Sequence, residues 1–139
     1  MIYQVDVRIF APVNETEIPE RVIDAIHNVF PTAELRETED GITGTAHSLS
    51  TLSEHLHRRA ILDTARSEFF NNQRPNGFSF SIKKQPAFKN VVTFTVGNPG
   101  ELGEIDVDVH VEDPDVESVI DHIAPPTEDG VPITPDDDR

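Results

Sequence analysis

From Ile105 to Glu112 the chain alternates without a break, Ile105, Val107, Val109 and Val111 against Asp106, Asp108, His110 and Glu112. Successive side chains of a strand point to opposite faces, so this stretch predicts a strand with one face in an apolar core and its carboxylates turned to water. The same period recurs in Tyr3, Val5, Val7 and Ile9, in Phe78, Phe80 and Ile82, and in Val92, Phe94 and Val96. Residues 33–38 and 42–47 flank Glu39-Asp40-Gly41, where Asp-Gly reads as the turn pair of a hairpin.

Helical spacing takes over elsewhere. Pro19 suits a first turn, Ile18, Val22, Ile26 and Val29 recur on one side, and Pro31 ends the run. Leu52, Leu56, Ile61, Leu62, Ala65 and Phe69 carry a stripe to about residue 71, opened by a Thr51–Glu54 capping box and predicting one helix or two broken near Arg58. Val116, Val119, Ile120 and Ile123 predict a short helix, and the polar residues 71–77 a loop. About six strands and two principal helices imply an α+β fold. It is a two-layer sandwich of an antiparallel or mixed sheet with helices on one face.

A length of 139 residues fits one domain, placed at 1–123. Residues 124–139 hold Pro125, Pro126, Pro132 and Pro135 and then Asp136-Asp137-Asp138, a composition expected to form a disordered tail. With no cysteine there is no disulfide, thiol nucleophile or cysteine metal site. No apolar run reaches the ~20 residues of a membrane span, and the first residues lack a signal-peptide pattern, so a cytoplasmic location is expected.

The net charge is −15, with three lysines beside eight arginines, the composition of a surface adapted to concentrated salt, where repulsion between carboxylates is screened within ~3 Å at 1 M. That charge is uneven. Residues 58–89 carry seven cations against Asp63 and Glu68, a local +5 that leaves −20 on the remainder.

The run Arg59-Ala60-Ile61-Leu62-Asp63-Thr64-Ala65-Arg66, then Lys84-Gln85-Pro86-Ala87-Phe88 after a strand, and Leu102-Gly103-Glu104-Ile105 before the last one resemble an archaeal family known as uncharacterised protein family two-hundred-one. Ile42-Thr43-Gly44 fits the same pattern, and the likeness covers residues 3–112. It implies a fold like ribosomal protein L-five and membership of a group described as predicted RNA-binding proteins, some linked to the archaeal exosome. Pro86 stands where that family usually has alanine, which removes an N–H donor from the turn.

The basic stretch is the leading functional feature. Arg58, Arg59 and Arg66 fall on helix, while Lys83, Lys84, Phe88 and Lys89 fall at a strand end and in the loop after it. Brought together, the cations would contact phosphates, which points to RNA. The plainer reading pairs Arg59 with Asp63 and Asp63 with Arg66 along a solvated helix face, for ~0.2 to 0.5 kcal/mol each. A different class of function would dock this stretch on an acidic protein partner or on a second copy.

Phe78, Phe80, Phe88 and Phe94 invite comparison with base-stacking platforms, but Phe78 and Phe80 share a face with Ile82, as core residues do; Phe88 alone is expected at the surface. His55 and His57 lie too far apart around a helix to chelate one ion, and His110 among Asp106, Asp108 and Glu112 predicts weak surface cation binding only. Gly97, Gly100 and Gly103 lack the lysine that would close a phosphate loop. No catalytic motif, resident metal or cofactor is expected.

Overall fold

The strand with the cleanest alternation lies inside the sheet. In the computed structural model, which describes residues 2–95, 103–128 and 131–132, β6 (Glu104–Asp113) runs between β1 (Gln4–Pro12) and β5 (Gly77–Lys83). With β2 (Glu34–Glu37), β3 (Gly41–Ala46) and β4 (Gln73–Arg74) they form a six-stranded sheet in the order β2-β3-β1-β6-β5-β4, every pair antiparallel. Val7 stands opposite Val109 and Ala46, and Phe78 opposite Val109, so the registers align the apolar positions of four strands on one side.

Five helices complete this α+β fold: α1 (Pro19–Val29), α2 (Ser50–Arg58), α3 (Leu62–Asn71), α4 (Lys84–Phe88) and α5 (Val116–Ile123). Val22, Ala25, Ile26 and Val29 of α1, Leu52 and Leu56 of α2, and Val119 and Ile120 of α5 are buried with the inward residues of the sheet in one core. On the opposite sheet face Arg8, Asp106, Asp108 and His110 are exposed. Burial on one face only is what the alternation in β1 and β6 demands. Phe69 of α3 is the hub of the far end, with ring centres 4.9 Å from Phe78, 5.0 Å from Phe80 and 5.8 Å from Phe94.

Several local expectations change. Thr38 N–H donates to Gly41 O, so the two residues at the tip of the β2–β3 turn are Glu39 and Asp40 rather than Asp-Gly. Gly41 is needed for closeness instead, because a Cβ there would lie 2.2 Å from Ala11 O. The helical stripe splits into α2 and α3 at Ala60, which takes a positive φ of 55°. The capping box does not form: α2 starts at Ser50, and the Ser48 hydroxyl accepts the Ser50 N–H at 3.2 Å. Part of the expected loop at 71–77 is β4.

Residues 92–96 were expected as a strand, but Phe94 makes only a single bridge to Ile82, and Val96 lies outside the described residues, as do Gly97, Gly100 and Leu102. The short last helix sits at 116–123 as expected, capped by Asp115, whose carboxylate accepts the Ser118 N–H at 2.8 Å. Beyond it Ala124 and Pro125 are buried, and β7 (Thr127–Glu128) pairs with β8 (Val131–Pro132). Proline and charge dominate that segment's composition, yet Thr127 still anchors it by donating to Asp63 Oδ1 at 2.7 Å.

Phe69→Ala is expected to cost about 3 to 5 kcal/mol in urea unfolding, since three other rings would lose their common neighbour. A loss below about 1 kcal/mol would mean that the aromatic cluster is not a packed unit.

Candidate functional site

Of the seven residues proposed as RNA contacts, the structure engages three cations internally. Lys84 opens α4 and is wholly buried, its Nζ donating to Pro12 O and, at 2.8 Å, to Glu17 Oε1. The Glu17 side chain is only 6% exposed, and its Oε1 also accepts the Asn14 backbone N–H at 2.9 Å. Lys84 therefore cannot serve as a surface phosphate contact. It ties the end of β1, the loop before α1 and the start of α4 to one another.

Arg66 is engaged in the same way. Its Nη1 lies 2.7 Å from Asp121 Oδ1 and donates to Ala124 O at 3.1 Å, and its guanidinium sits 4.9 Å over the Phe70 ring. Its partner is thus on α5, not Asp63. The break at Ala60 also takes Arg59 off the helix that carries Asp63, so the simple pairing along one helix face does not occur. Arg58 extends from α2 toward His55, donating from Nη2 to Nδ1 at 3.3 Å. That bond requires the hydrogen of buried His55 on Nε2, which donates to Asn28 O at 2.9 Å.

Arg59, Lys83 and Lys89 are exposed, with no side-chain partner among the described residues. Lys83 stands apart at the end of β5. Arg59 and Lys89 meet on a groove of about 910 Å³, together with half-buried Phe88 and with Arg21 from the first turn of α1. Ile18, 54% exposed, and Val91 add apolar wall, and Glu17 also borders the groove with its charge answered by Lys84. Three cations around an aromatic ring form a positive site in a chain of net −15.

Local structure explains the wall. The segment Lys84-Gln85-Pro86-Ala87-Phe88 reads as a loop because of its proline, but Pro86 occupies the first turn of α4, where its N–H would have no helical partner. The missing donor is not needed. Pro86 O accepts instead, from Lys89 N and Val91 N at 2.9 Å each, and Asn28 Nδ2 donates to Ala87 O at 2.8 Å to hold α4 on α1. Arg21 was not singled out from the sequence, since Glu15, Glu17, Glu20 and Asp24 around it hide a lone arginine.

The remaining candidates are settled by burial. Phe78, Phe80 and Phe94 belong to the core and cannot stack on bases. The open sheet face carries Asp6, Asp106, Asp108 and Glu112 around Arg8 and half-buried Phe10, with Arg74 paired to Asp108, so carboxylates predominate there. Among the described residues no three His, Asp or Glu side chains are placed to hold a metal ion, and no helix is long and apolar enough to cross a membrane.

No family model matches the chain. A UPF0201 protein of Methanothermobacter thermautotrophicus is 39% identical over 121 residues, covering 86% of this chain and 90% of that one. The chain belongs to the UPF0201 family. This is the archaeal family that the segments around Arg59, Lys84 and Gly103 resemble. A UPF0200/UPF0201 protein of Archaeoglobus fulgidus is 34% identical over 130 residues, 93% of this chain, which spans 40% of that protein's length. The crystal structure of a UPF0201 protein from Methanococcus jannaschii matches with a TM-score of 0.86 at 32% identity, over 93% of this chain and 99% of that one.

Lys84→Met leaves Glu17 buried without its counter-charge and is expected to lower stability by about 3 to 5 kcal/mol. Lys84→Met combined with Glu17→Gln is expected to recover much of that loss. Equal unfolding midpoints for wild type and the single variant would show that the pair is not a fastening.

Proposed function

We propose that this UPF0201 member is a non-catalytic RNA-associated binding module of the archaeal cytoplasm, and that the groove between α1 and α4 takes a single-stranded segment. The observation that carries this reading is the convergence of Arg21, Arg59 and Lys89, from three separate elements, around Phe88. Guanidinium and ammonium groups donate to phosphate oxygens, and a half-exposed ring offers a face on which a base can stack. The expected kinship of fold with ribosomal protein L-five supports the same class of ligand.

The size of the patch selects the kind of RNA. A duplex presents a long track of phosphates, and with Lys84 and Arg66 engaged inside the protein the groove offers cations for only a short one. One or two nucleotides of a loop or strand end fit it better. The acidic, lysine-poor composition supports binding in concentrated salt, where counterion release contributes little, and there directional hydrogen bonds and stacking would supply the affinity.

A non-catalytic role follows from the chemistry of the lining. Arg21, Arg59 and Lys89 offer hydrogen-bond donors to a ligand, and Glu17, the carboxylate there, is engaged by Lys84 and Asn14.

Titration of a labelled single-stranded RNA at molar KCl, read by fluorescence anisotropy, is expected to show binding that falls about tenfold or more in Arg59→Glu and in Lys89→Glu. Arg8→Glu, on the open sheet face, makes the same charge change and is expected to shift affinity less than about threefold. Absent binding, or equal losses in all three variants, would remove the RNA reading.

A further inference from the structure

We propose that the free edge of β2 is a self-pairing surface through which two copies of this chain join their sheets. β2 is the last strand on its side of the sheet, and none of the described residues pairs with its outer edge. The occupant is identified by the edge itself.

The hairpin sets which backbone groups are available. Thr38 N–H donates to Gly41 O, so 38/41 is a hydrogen-bonded pair, and antiparallel pairs alternate in kind. Arg36 opposite Thr43 is then hydrogen-bonded as well, while Leu35 opposite Gly44 and Glu37 opposite Ile42 are not. The N–H and C=O of Leu35 consequently point away from β3 to the open edge. A two-fold axis beside Leu35 lets the Leu35 N–H of each copy donate to the Leu35 O of the other.

That register also matches the charges. It sets Glu34 opposite Arg36 of the second copy and Arg36 opposite its Glu34, both pairs on the open face of the sheet, where Thr45 and Thr43 are their neighbours on β3. Glu34 and Arg36 are exposed, with no ion-pair partner among the described residues. Moving the axis one residue either way brings two Arg36 or two Glu34 side chains face to face. A sequence of Glu-Leu-Arg is thus complementary to itself about its centre, as a two-fold interface requires. Charges on an edge often serve only to prevent pairing, but such guards repel their own copies, whereas these attract.

The pairing is short. Ala33 N–H already donates to Phe30 O, and Ala33 O is taken by His27 Nε2 at 3.0 Å, which ends the ladder on that side. The dimer is therefore expected to be weak and to dissociate on dilution. Two chains of −15 repel each other overall, so it gains from salt that screens distant charges more than touching ones.

The test is sedimentation velocity in molar KCl at chain concentrations up to about 0.5 mM, the range that detects weak association. Wild type is expected to shift from monomer to dimer with concentration. Arg36→Glu, which sets carboxylates against carboxylates, is expected to weaken that by about tenfold, and the exchanged variant Glu34→Arg/Arg36→Glu to restore it to within about threefold. A wild type that stays monomeric throughout, or single and exchanged variants that behave alike, would overturn the proposal. None of these substitutions touches the α1–α4 groove, so RNA binding stands or falls separately.

Discussion

A lysine taken entirely out of water fastens the region on which the functional reading rests. Lys84 Nζ meets Pro12 O at the end of β1 and Glu17 ahead of α1, so one ammonium group ties three segments that are distant in sequence. Burying a charge costs several kcal/mol unless it is paired and hydrogen-bonded, and both conditions hold for Lys84, while Glu17 is engaged through Oε1 alone and its buried Oε2 has no partner among the described residues. Together with the Asn28 bond to Ala87 O, the pair holds α4 against α1 and thereby sets the width of the groove that Arg21, Arg59, Phe88 and Lys89 border. The predicted cationic island thus becomes smaller and better defined: one of its members is the fastening, another braces α3 against α5, and two of those left converge.

The two faces of the sheet divide the remaining tasks. Apolar residues of β1, β5 and β6 are covered by helices, and the outward positions carry mainly acid and hydroxyl groups. Many RNA-binding sheets use an exposed face set with aromatic rings, but here Phe78 and Phe80 point inward, and Phe10, the half-buried ring on the outward face, stands opposite Asp106. Any nucleic acid is consequently directed to the helical side.

Legibility in the sequence followed periodicity. β1, β5, β6, α1 and α5 stand where alternation or helical spacing put them, because burial of one face writes the pattern directly into the residues. α4 was hidden by Pro86, and the turn tip by the pull of Asp-Gly, since both depend on which backbone groups find partners rather than on side-chain type. The burial of Lys84 did leave a trace: Phe78, Phe80, Ile82 and Lys84 share one parity, and the lysine continues the inward row. Its partner Glu17 left none, nor did Arg21, for contacts between distant segments have no local signature. Arg66 stands one position from inward-facing Ala65, which is why it can reach both Phe70 and Asp121.

The most direct test of the groove is to map where RNA touches the protein. Backbone amide resonances of the isotopically labelled chain, followed in molar KCl as a short single-stranded RNA is added, are expected to move in two segments and at one further residue. These are residues 16–21, and residues 85–93 with Arg59, which border the groove. Shifts centred on the outward residues of β1 and β6, or none at saturating RNA, would contradict it.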